Sequence, residues 1–143
     1  MSSTLPPLLI AASAAIMLVL GLLHLRYTFH GAALLPRDRA LRARMEEVAL
    51  VITRETTVWK AWIGFNASHA FGLIFFGAAY GYLALMHGAF LFQSWFLLAL
   101  GLLLLGVYTL LARRYWFSVP FGGAVASAAL YLAALVIALA RTS

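Results

Sequence analysis

Residues 58–85 read VWKAWIGFNASHAFGLIFFGAAYGYLAL, and this stretch decides the fold class. About 20 helical residues, rising 1.5 Å each, cross the roughly 30 Å hydrocarbon core of a bilayer. This run is longer than that, so a helix here is expected to tilt or to project from the membrane. Its one charge, Lys60, lies two residues from the start, where the side chain can snorkel to the interface. Three further apolar runs, 5–25, 90–112 and 119–140, are long enough to cross, and none of the four contains an acidic residue. Irregular backbone and open sheet edges cannot face lipid. The expectation is an all-α polytopic membrane protein: one four-transmembrane-helix domain over residues 1–143.

Composition points the same way. The chain is 65% apolar and 10% charged, with a mean hydropathy of +0.99, against roughly 45–50% and about 25% in soluble domains. A water-soluble fold of this composition would lack the polar residues to cover its core. The absence of cysteine excludes disulfides, thiolate catalysis, iron–sulfur clusters and membrane thiol oxidoreductases. The net charge of +6 does not indicate nucleic acid, because ten basic residues are too few and their placement follows membrane topology instead.

Arg26, Arg37, Arg39, Arg42, Arg44, Arg54 and Lys60 surround the first connection, and Arg113 and Arg114 mark the third. Nine of the ten basic residues therefore share one side, and Arg141 alone falls on the other. The positive-inside rule places both charged connections in the cytoplasm and both termini outside it. The first run lacks a basic n-region and exceeds an ordinary h-region, so a retained helix is expected rather than a cleaved signal peptide.

In the first connection, Leu41, Met45, Val48 and Ile52 recur at helical spacing among charged residues, with Pro36 suited to a first turn. This pattern predicts a cytoplasmic amphipathic surface helix over about 36–53, its arginines meeting anionic head groups. Glu55 is expected to cap the second span and to pair with Arg26 or Arg54, the alternative being a proton carrier at the mouth of the face that holds Asn66 and His69. Arg26-Tyr27-Thr28-Phe29 and Arg114-Tyr115-Trp116-Phe117 echo each other, and interface chemistry accounts for that.

The second span carries small residues on one ridge, Gly64, Ser68 and Gly72, followed by Gly77 and Gly81. Such spacing lets helix backbones approach closely. Gly122, Ala126, Ala129 and Ala133 form a matching smooth face on the fourth span. Close packing of these two helices is expected, within one chain or between copies.

The opposite face of the second span holds Trp59, Trp62, Asn66, His69, Leu73 and Tyr80. His69 falls about 16 Å along the helix from Val58, near the bilayer middle. Polar groups at that depth mark sites or pathways, or serve as hydrogen-bonding links between helices. Asn66 and His69, with Trp62, Trp59 and Tyr80 as a wall, form the candidate ligand site, and His24 in the first span is a further candidate. His24 and His69 are expected to differ in depth by about 10 Å, which argues against a haem held by both. His30 and His87 lie in connections. No metal site is expected, since the spans lack carboxylates and no histidine pair has i, i+4 spacing.

Leu22-Leu23-His24-Leu25-Arg26-Tyr27-Thr28-Phe29, Pro36-Arg37-Asp38 and the run from Ile52 to His69, which contains Trp59-Lys60-Ala61-Trp62-Ile63-Gly64-Phe65-Asn66-Ala67-Ser68-His69, carry a resemblance. Over roughly its first half to 60%, the chain resembles a group of small uncharacterised bacterial membrane proteins. The resemblance implies four helices and a bacterial inner-membrane location, and it transfers no catalytic residue and no cofactor. The chain departs from small multidrug exporters, which use a membrane-embedded glutamate, and from quinone-linked disulfide enzymes, which need cysteines.

Two functions follow as expectations. The first is a packing or accessory subunit, in a homo-oligomer or a larger membrane complex. The alternative is a binder or enzyme for a hydrophobic small molecule (lipid, quinone, isoprenoid or pigment) at Asn66 and His69. A channel along the same face is poorly served by so few polar groups. No motif fixes a reaction.

Overall fold

The computed structural model describes residues 4–140, so Arg141 and its place in the charge bias lie outside the described residues. Four helices are long and apolar enough to cross a membrane: α1 (Leu5–Phe29), α3 (Val58–Met86), α5 (Trp95–Tyr115) and α6 (Ser118–Leu139). Two short helices, α2 (Arg39–Glu47) and α4 (Gly88–Gln93), and a hairpin of β1 (Ala49–Leu50) and β2 (Thr53–Thr57) complete the described elements. By contacts the chain divides into two compact units, one up to Leu20 and from Leu73 onward, the other Gly21–Gly72.

In the first unit, Ile10, Ala14 and Met17 of α1 are buried with Phe76, Tyr80 and Ala84 of α3. Leu73 of α3, Leu91 of α4, Leu98 and Leu105 of α5, and Tyr131 and Ala134 of α6 complete the cluster. Large apolar side chains also point outward, Phe75 at 76% exposure and Phe96 at 74%. That distribution suits a chain whose outer solvent is lipid.

Close helix contacts run through glycine. A Cβ on Gly77 would lie 2.6 Å from Leu18 Cβ and 2.7 Å from the Ala14 carbonyl oxygen, so α1 and α3 meet almost backbone to backbone. Gly123 of α6 receives Leu20 in the same way, and Gly101 of α5 receives the Tyr131 hydroxyl. The glycines of α3 in this unit are therefore seated on α1. At Gly122, on the face expected to be smooth, a Cβ would meet nothing within 4 Å. α6 instead meets α1 through buried Ser13 and Ser127, whose hydroxyls are 2.8 Å apart, with the Ser127 hydroxyl also donating to the Ser13 carbonyl at 3.0 Å.

The third long helix begins at Trp95 rather than 90. Ser94 caps it by accepting from the Leu97 amide. Gln93-Ser94 thus breaks the apolar run, leaving 88–93 as the separate α4. The expected surface helix over 36–53 does not form as such. Asp38 is the N-cap, accepting from the Ala40 amide at 2.8 Å, and the helix ends at Glu47, with Val48 already extended. From there Ala49, Leu50, Val51, Ile52 and Thr53 enter the hairpin, so Val48 and Ile52 are not on a helical stripe. The β-branched run overrides a helical period that only four residues supported. Thr57, not Glu55, caps α3: its hydroxyl accepts from the Lys60 amide at 3.3 Å.

Replacing Gly77 by alanine should force α1 and α3 apart and cost about 1–3 kcal/mol. Gly122→Ala should be neutral or slightly stabilising. Reversible unfolding in mixed micelles compares the two, and equal stability of both variants would remove the close α1–α3 approach.

Candidate functional site

The second unit brings three polar side chains of α1 and α3 together. His24 Nε2 lies 3.0 Å from Asn66 Oδ1. The Asn66 amide nitrogen donates to the Trp62 carbonyl at 2.8 Å, which orients the side chain and leaves Oδ1 as the acceptor facing His24. His24 therefore donates through Nε2, and in its neutral form Nδ1 is the acceptor. The rings of His24 and His69 meet edge to face, with centroids 5.1 Å apart and planes at 81°.

Local sequence explains why His24 arrives there. α1 continues a full turn past Leu25: the Thr28 hydroxyl is buried and donates to the His24 carbonyl at 2.8 Å. Gly31, at φ +92, then ends the helix in the left-handed conformation that glycine takes without strain. The first turns of α3 are wrapped by the connection, since Trp62 Nε1 donates to the Leu34 carbonyl at 3.3 Å. The expected 10 Å difference in depth between His24 and His69 is thus overturned. The first span, running to Phe29, is longer than its apolar run, and the ring centroids of His24 and His69 lie 5.1 Å apart.

Trp62 also lines a pocket of about 410 Å³ with Ala33, Leu34, Leu35, Pro36 and Met45. One helical turn separates Trp62 from Asn66, and His24, Asn66 and His69 are not among the residues that line this pocket. Trp59 faces differently. The Arg42 guanidinium lies 3.6 Å above its ring while pairing with Glu46 at 2.7 Å. Tyr80 belongs to the first unit, stacked on Phe76 at 4.6 Å with its hydroxyl donating to the Leu97 carbonyl at 2.6 Å. Of the candidate residues, His24, Asn66 and His69 are brought together, Trp62 adjoins them, and Trp59 and Tyr80 have other partners. His30 is exposed, and His87 lies 3.2 Å from the Tyr82 hydroxyl.

The described residues contain no group of three or more metal-ligating side chains. No carboxylate lies in any of the four long helices. What the cluster offers beyond the His24–Asn66 bond is the second ring nitrogen of His24 and the second amide hydrogen of Asn66. Compared with known proteins, the chain matches no family model, no curated protein and no solved structure. Function has to be argued from the side chains themselves.

His24→Leu removes the donor to Asn66 and should destabilise the protein by about 0.6 kcal/mol, up to about 1.7, the range for hydrogen bonds between membrane helices. His24→Gln keeps an N–H donor of similar reach and should recover most of that loss. Unfolding in micelles measures both, and equal losses for Leu and Gln would show that the bond contributes nothing.

Proposed function

We propose that this is a small multi-pass membrane protein that holds a neutral hydrophobic molecule against His24, Asn66 and His69. The supporting observation is the meeting of three polar side chains from two otherwise apolar helices, with His24 Nε2 and Asn66 Oδ1 at 3.0 Å. Polar groups at such positions are costly in lipid and usually serve a site. With no carboxylate in the four long helices, they suit an uncharged hydroxyl or carbonyl head, as on a lipid, quinone, isoprenoid or pigment. Trp62 and its pocket supply an apolar wall one turn away. His69 is the acid/base or ligating group in this reading, and Asn66 orients the head.

A second reading, a packing or accessory subunit in a homo-oligomer or larger complex, draws on α6. Gly122, Ala126, Ala129 and Ala133 are exposed along one helix, and small residues of this kind let another helix approach closely. In either case we place the protein in a bacterial inner membrane. The connection between α1 and α3 faces the cytoplasm and both termini lie outside, following the distribution of arginine and lysine.

Protein extracted gently from its own membranes should carry a defined small-molecule adduct in native mass spectrometry. His69→Phe keeps an aromatic ring while removing both nitrogens and should lose the adduct, as should Asn66→Leu, with circular dichroism confirming that each variant is folded. Adduct retention by both variants would refute the ligand reading, and a mass resolving into further chains would favour the subunit.

The orientation has its own test, because the chain has no native cysteine. Asp38→Cys should react with a membrane-impermeant maleimide only after permeabilisation of spheroplasts, and Ala89→Cys should react before it. The reverse pattern would invert the topology.

A further inference from the structure

The hairpin between α2 and α3 ends in residues that its turn does not call for. Leu50 pairs with Thr53, leaving Val51-Ile52 as a two-residue loop. Two-residue hairpin loops favour Gly, Asn and Asp because their common turn types need positive φ. Among the described residues no non-glycine residue has positive φ, so valine and isoleucine are held in a turn to which they bring no conformational advantage. Their side chains stand fully in the open, at 110% and 89% exposure, the highest values among the large apolar residues of the described chain. Water penalises two adjacent aliphatic side chains presented in this way.

Three observations select what covers them. The first is the tether: β2 ends at Thr57 and α3 begins at Val58, so Ile52 is at most about 20 Å of extended chain from a helix able to cross a membrane. The second is charge. Arg42 and Arg44 are paired with Glu46 and Glu47. Among the described residues no carboxylate lies within ion-pair distance of Arg37, Arg39 or Arg54, nor of Arg26 and Lys60 at the two ends of the connection. These cations suit lipid phosphates. The third is size. Two side chains are far too little for a protein interface, which buries about 1,200–2,000 Å² in all, but they match the shallow insertion by which peripheral segments hold an acyl boundary.

We propose that Val51 and Ile52 insert into the boundary between head groups and acyl chains of the bilayer that the long helices cross, with Arg54 at the level of the phosphates. The hairpin then anchors the connection to the membrane by its tip, where a surface helix would lie along its length. The ligand reading is not needed for this, since the anchor depends only on the hairpin and on the membrane itself.

The test uses the full chain in vesicles of zwitterionic lipid with an anionic phospholipid added. A nitroxide attached at Ile52→Cys should collide with oxygen, which concentrates in acyl chains, far more often than with a water-soluble nickel chelate. The same label at Glu47→Cys, an exposed position outside that set of cations, should show the opposite preference. Because the label is itself apolar, a second reporter at Thr53→Cys is compared with and without Val51→Ser and Ile52→Ser. Its preference for oxygen should fall several-fold when the tip is made polar. Free access of the nickel chelate to position 52 overturns the proposal, as does a label shielded from both reagents, which would place the tip against protein.

Discussion

The approach of α1 to α3 at Gly77 is the contact on which the packing of the first unit depends. Lipid supplies no hydrophobic drive for helices to associate, so the attraction must come from atoms in close contact and from hydrogen bonds. Gly77 lets the Ala14 and Leu18 backbone lie where a side chain would otherwise be. The same logic recurs where Leu20 enters the space at Gly123 and where Tyr131 enters the space at Gly101. α1 is therefore a common partner of α3 and α6, and Phe76 and Tyr80 stack at 4.6 Å within the same buried cluster.

Polar groups inside the apolar helices follow a second rule, that each finds a partner. No buried side-chain nitrogen or oxygen among the described residues is without one. Tyr80 and Tyr131 donate to successive carbonyls of α5, Leu97 and Leu98. Thr109 donates to the carbonyl one turn earlier. The His24–Asn66 pair obeys the same rule but differs in kind, because imidazole and amide keep further donors and acceptors once the bond between them is made. That residual capacity separates a link between helices from a place where a ligand can be held.

Much of the fold was legible because span length and charge placement are one-dimensional signals. The runs at 58–85 and 119–140 differ from α3 and α6 by a residue at one or both ends. The errors came where a local signal was overridden. Ser94 was hidden inside an apolar run and became a cap. Leu41, Met45, Val48 and Ile52 kept helical time, yet Val48 begins an extended segment and Ile52 sits in a hairpin turn. Of the candidate site, Asn66 and His69 could be paired from their i, i+3 spacing. The role of His24 depends on which helix lies beside which and at what depth, and a single sequence carries no signal for that.

The hydroxyl contact between Ser13 and Ser127 has a consequence for biogenesis. These residues are 114 positions apart, and helices enter the bilayer in the order of their synthesis. α1 must therefore wait in lipid through the insertion of α3 and α5, its serine able only to bond back to the carbonyl one turn earlier. Arrival of α6 exchanges that stopgap for the bond between helices. The first of the four helices to enter is seated on α3 at Gly77, but its serine gains the bond between helices only when the last of the four arrives.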